Sequence, residues 1–150
     1  MGQVLLQNRK LRQMRLLQIG ILVLSLLTIV GAVHAKRITD NKILQAGQTL
    51  FIENCAVCHG DKAQGAEKNW QTPDADGKYP APPLNGSAHA WHHPLKGLMN
   101  TISNGTQSIG GNMPAWKDKL TQDESLSIIV WLTSLWPDEI YSFWEKKNQQ

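Results

Sequence analysis

Apolar positions fall into distinct rhythms along this chain. Leu16-Leu17 and then Ile19 to Val33 run almost unbroken, with Gln18, Ser25 and Thr28 the main polar intrusions. A membrane-crossing helix needs about 20 mostly apolar residues. A cleaved leader needs a shorter apolar core and a small-x-small exit. Counted from Leu16, the stretch meets the first requirement narrowly. Gly31 followed by Val33-His34-Ala35 meets the second. One N-terminal hydrophobic helix is therefore expected within residues 1–35, as a transmembrane anchor or as a signal peptide cleaved after Ala35.

Beyond that point the period becomes helical. Asp40 is placed to cap a helix whose apolar or small residues recur at Ile43, Ala46, Gly47, Leu50 and Phe51, and which runs directly into Cys55. A second helix is expected from Pro94 to about Asn104. Pro94 would stand at its first position, Gly105 would end it, and Leu95, Leu98, Met99 and Ile102 would line one face. Thr121 and Glu124 form a capping box. The helix they open passes through Leu126, Ile129, Val130 and Trp131 to Leu135, and Pro137 stops it. An amphipathic tail from Glu139 to Lys147 carries Ile140, Phe143 and Trp144. Residues 61 to 90 show no period and are rich in Gly, Pro, Asp, Asn and Ser, with Trp70 and Tyr79 as isolated aromatics. No stretch alternates long enough for a strand, so the fold class is all-α. An irregular segment of that length needs something to pack on.

Charge sharpens the division at residue 35. The net charge is +3, but Arg9, Lys10, Arg12 and Arg15 stand before the apolar run without a single acid. From Lys36 onward 11 basic residues face all 12 acids, a net of −1. A nearly neutral domain lacks the concentrated basic footprint that nucleic acid requires. The basic start keeps the N-terminus in the cytoplasm and sends the domain outside.

The chemistry sits at Cys55-Ala56-Val57-Cys58-His59. Two cysteines three apart with a histidine beside the second read as a c-type haem attachment site. Each thiol can add to one vinyl group of the porphyrin from a single turn of backbone, and His59 then reaches the iron from the same side. A structural zinc site would want about four ligands, usually in two pairs, and no second pair exists. A thioredoxin-like pair would sit in a βαβ context, which is absent. A disulfide across so small a loop would gain little. Met113, in Gly110-Gly111-Asn112-Met113-Pro114, is the candidate sixth ligand. A thioether opposite histidine raises the reduction potential, and Pro114 biases Met113 to extended backbone. The bland reading of Met113 is a gap-filler in the core; Met99, on a helical stripe, fits that role better. His89, His92 and His93 have too few companions for a second metal. They read as loop residues or partners of the haem propionates, and Trp91 is a further propionate donor.

These blocks, taken in order, resemble a class I cytochrome c over roughly residues 40 to 136. The resemblance rests on the Gly47/Phe51 helix entering the Cys-Ala-Val-Cys-His motif, on Ala81-Pro82-Pro83-Leu84-Asn85-Gly86, on Gly111-Asn112-Met113-Pro114, and on Trp131 in the last long helix. It implies a fold of three to four helices around one covalently attached haem c. It also implies that Gly47, Phe51 and Trp131 meet where the first and last helices cross. By position Pro82 would accept the free N–H of His59, with Leu84 packing on the ring; Trp91 and Pro114 would support the pocket. Residues 61–80, Trp91-His92-His93 and the tail depart from the short mitochondrial type and resemble some bacterial membrane-anchored cytochromes c. Residues 36–150 would then form a monohaem domain with a helical tail.

The expected function is single-electron transfer between respiratory partner proteins on the periplasmic side of the bacterial inner membrane, with no catalytic residues of its own. Two alternatives remain: a haem c subunit of a membrane oxidase or dehydrogenase, and a haem enzyme or gas sensor with an open iron face. After cleavage the domain would be soluble in the periplasm.

Overall fold

The structure is a computed structural model that describes residues 37–66 and 69–149. The expected N-terminal helix, anchor or leader, lies outside the described residues. Five α-helices follow in order: α1 (Asn41–Asn54), α2 (Ala56–His59), α3 (Leu95–Asn104), α4 (Gln122–Ser134) and α5 (Asp138–Asn148). Short 3-10 turns occur at Ala90–His92 and Gln107–Ile109, and there are no strands among the described residues. None of these helices is long and apolar enough to cross a membrane.

Local signals start the two principal helices. The Asp40 side chain accepts from the N–H groups of Lys42 and Ile43, satisfying two donors that the first turn cannot pair internally. Thr121 and Glu124 form the reciprocal box ahead of α4. The Thr121 bonds hold the Glu124 carboxyl below its ordinary range.

α1 and α4 cross at Gly47. A Cβ there would lie 2.0 Å from the Ser127 carbonyl oxygen, so the backbones approach as only glycine permits. Directly beside the crossing, the Phe51 and Trp131 rings meet with centroids 4.7 Å apart. Around them Ala56, Ala63, Leu120, Ile128 and Leu132 complete the main core. Gly47→Ala should therefore force the helices apart. We expect a loss of about 2 kcal/mol, in the range for overpacking, and a melting temperature lower by roughly 10 °C. Thermal unfolding followed by circular dichroism measures it.

A second core lies at the tail. Ala90, Trp136 and Trp144 are buried, with Leu84, Trp91, Leu95, Leu98, Ile140 and Tyr141 packed around them. Trp144 Nε1 donates to the His93 carbonyl at 2.8 Å, and Lys147 Nζ donates to that of His92. Arg37 donates to the Trp136 carbonyl at 3.0 Å, beyond the end of α4, and its guanidinium lies 4.2 Å from the centroid of the Tyr141 ring. Its contact with Asp138 adds little, because that carboxylate is almost wholly in water.

Two expectations need correction here. Pro94 is the N-cap of α3 rather than its first residue. It brings no side-chain acceptor, so the Leu95 N–H turns to Asn148 Oδ1 of α5, 2.6 Å away. Trp70 is not isolated either, since its ring stacks on His89 with centroids 4.9 Å apart and planes 19° from parallel.

Candidate haem site

Cys55 terminates α1, and its carbonyl accepts from Cys58 and His59, so the motif is wound into the single turn of α2. Cys55 is half-buried, Cys58 is exposed and His59 is buried. Burial first, and Cys58 second, push the Cys55 thiol up to about 11. A thiol–disulfide exchange pair works by the opposite shift, toward a stable thiolate.

His59 is fixed by its surroundings. Its Nδ1 lies 3.1 Å from the Pro82 carbonyl oxygen. With that nitrogen as donor, Nε2 is the lone pair left for a metal, the arrangement that orients histidine ligands generally. Burial holds the imidazole below its ordinary pKa, partly offset by the Pro82 bond, which favours the neutral ring that ligation needs.

The Pro82 block is itself held on several sides. Leu84 N–H donates to the Ala63 carbonyl at 2.8 Å, Trp136 Nε1 donates to the Leu84 carbonyl at 2.7 Å, and Ala66 N–H donates to Ala81. Ala63 is fully buried and has φ +53°, a conformation rare for a side chain other than glycine. Neither Ala63 nor Trp136 was singled out by the sequence. The first carries no local signal, and the second becomes visible only once the tail is folded back.

Met113 stands half-buried at the end of a separate loop that leaves α3 at Gly105. Its N–H donates to Thr106 Oγ1 at 3.1 Å, and its carbonyl accepts from the Thr106 N–H at 2.9 Å. Thr106 is a third residue that sequence reasoning missed. Pro114 is exposed.

Trp91 packs edge-on against His92 and Phe143 within the tail cluster, and Leu84 borders both cores. His89 Nδ1 is buried without a hydrogen-bond partner, and burial followed by the charges of His93 and His92 holds its pKa down. Among the described residues no group of three or more His, Cys, Asp or Glu side chains is arranged to hold a metal ion.

The residues present fit a haem. Leu50, Cys55, Leu84, Ile102 and Trp116 edge the main core while remaining only partly covered by protein. The apolar stripe of α3 contains no fully buried residue. A broad, partly covered apolar wall beside two thiols and an oriented imidazole suits a flat macrocycle carrying an iron.

Residues 43–132 match the family described as cytochrome c oxidase, cbb3-type, subunit III. The chain belongs to this family. It is a class I c-type cytochrome. The cytochrome is 34% identical over 100 residues to the cbb3-type cytochrome c oxidase subunit CcoP of Azospirillum brasilense, covering 67% of this chain and 31% of that protein. It is 33% identical to a cytochrome c6 of Cladophora glomerata, over 57% of this chain and 80% of that one. Among solved structures it is similar to cytochrome CL of Methylophaga aminisulfidivorans, with a TM-score of 0.51 and 28% identity over 74% of this chain and 69% of that chain. The cytochrome thus spans about a third of the CcoP subunit that it matches. The all-helical fold is that of a cytochrome c, and haem c is the cofactor of such a protein. The expectation of a carrier with no part in catalysis is narrower than the family, which is that of an oxidase subunit.

Proposed function

We propose that the chain binds one haem c through Cys55 and Cys58, with His59 and Met113 as axial ligands, and carries single electrons between partner proteins on the periplasmic side of the inner membrane. Residues 1–35 would tether it as an anchor, or leave it soluble if cleaved, and residues 36–150 form the haem domain with its tail. When bound, the haem supplies a one-electron couple between ferric and ferrous iron. The protein's part would be to hold His59 neutral and aimed, to pack Leu84 and its neighbours against the ring, and to supply the Met113 thioether as the second ligand. The observation that carries the reading is the His59 Nδ1 contact with the Pro82 carbonyl, which aims a buried imidazole beside two cysteines at ligating spacing.

Two measurements test it. The reduced protein should bind carbon monoxide slowly or not at all, because both axial positions are filled; rapid binding would overturn the carrier reading in favour of an open-faced haem enzyme or sensor. A pyridine haemochrome assay should return one haem per chain. The likeness to CcoP supports a second reading, that the domain serves as a haem c subunit within an oxidase complex. Co-purification with a terminal oxidase from detergent-solubilised membranes would favour that role.

A further inference from the structure

The Met113 loop is closed on one residue. Thr106 donates its own N–H to the Met113 carbonyl, and its Oγ1 accepts the Met113 N–H. Its carbonyl accepts from Ile109 at 3.0 Å and from Gly111 at 2.9 Å. One threonine thus fixes both backbone polar groups of the methionine and the turn that leads to it. The neighbours leave no slack. Gly105 has φ +68°, and a Cβ there would lie 2.5 Å from the Met113 carbonyl oxygen. A Cβ on Gly111 would lie 2.1 Å from Thr106 Oγ1. Pro114 contributes no N–H, so Met113 carries the backbone donor at this point of the loop.

From this we infer that Thr106 is the positioning residue of the sixth ligand: its hydroxyl holds the Met113 backbone so that the thioether faces the iron, and so sets how rarely the methionine lets go. The inference rests on the His/Met reading above. A loop without this hydroxyl would still be tied by the backbone bond from Thr106 to Met113. It would lose the second tie, which opposes rotation of the Met113 peptide.

Thr106→Val keeps the shape and removes the acceptor, while Thr106→Ser keeps the acceptor. In the full-length haem protein, Thr106→Val should bind carbon monoxide about three to ten times faster in the reduced state, the factor expected from losing one ordinary hydrogen bond. It should also weaken the far-red charge-transfer band that thioether-ligated ferric haem displays. Thr106→Ser should restore both, while the melting temperature of Thr106→Val falls by only a few degrees, as the loss of one hydrogen bond requires. Should Thr106→Val retain no haem, Thr106→Ala removes the same hydroxyl without the added methyl and carries the same expectations. Wild-type band intensity and wild-type carbon monoxide kinetics in the hydroxyl-free variant would overturn the inference. Rapid carbon monoxide binding by the wild type itself would instead overturn the ligation reading on which it stands.

Discussion

Met113→Ala is expected to turn a reduced protein that resists carbon monoxide into one that binds it within the time of mixing. The reason is local. The Met113 backbone is tied to Thr106 at 2.9 and 3.1 Å, so truncating the side chain should leave the loop in place and take away only the donor. Two consequences should appear together. The far-red thioether band should vanish, and the reduction potential should fall by on the order of 0.1 V or more, within the roughly 0.8 V that axial ligands span. The direction follows from chemistry, since a soft thioether favours the ferrous state. Met99→Ala is the control. Met99 lies on the half-covered stripe of α3, and its loss should cost packing without opening the iron. An unchanged spectrum and potential in Met113→Ala would remove that residue from the ligand set.

How legible this was depended on how local each signal was. Asp40 and Thr121 announce their helices because each capping bond closes within three residues. Gly47, Phe51 and Trp131 were legible through the family resemblance, and the helix crossing brings them together as it implied. The bonds that finish the site span the chain. Trp136 reaches back 52 positions to the Leu84 carbonyl, Trp144 reaches 51 to His93, and Asn148 supplies across 53 positions the cap that Pro94 cannot provide. None of these leaves a mark in hydrophobic period, since a tryptophan that donates to a distant carbonyl looks like any apolar residue of an amphipathic helix. Thr106 escaped notice for the same reason, because a threonine just after a helix-ending glycine has many ordinary uses. The tail, expected as a brief closing helix, instead helps build the second core against which Leu84 and the start of α3 rest.

The double replacement Cys55→Ser, Cys58→Ser should yield an exported chain that is colourless and largely unfolded. The argument is one of core size. The buried side chains of the main core include two alanines among seven residues, and the described residues of the loop from Asp61 to His89 form no regular helix or strand. A loop of nearly 30 residues cannot bury enough of its own apolar surface to offset the entropy of ordering it. Leu50, Leu84, Ile102 and Trp116, half-covered around the motif, need a further apolar face before their burial counts in full. Haem joined by two thioethers, as proposed, would provide that face and could not dissociate when the fold loosens. Without it, far-UV circular dichroism should fall to less than half the holoprotein value, and emission from the six tryptophans, quenched by haem in the intact protein, should rise and shift to the red. Cys58→Ser alone should give an intermediate result, because Cys55, half-buried at the end of α1, still holds one edge of the ring. A colourless double variant that kept its helix content and cooperative melting would show that the chain folds without its cofactor. The apolar wall beside Cys55 would then owe nothing to haem.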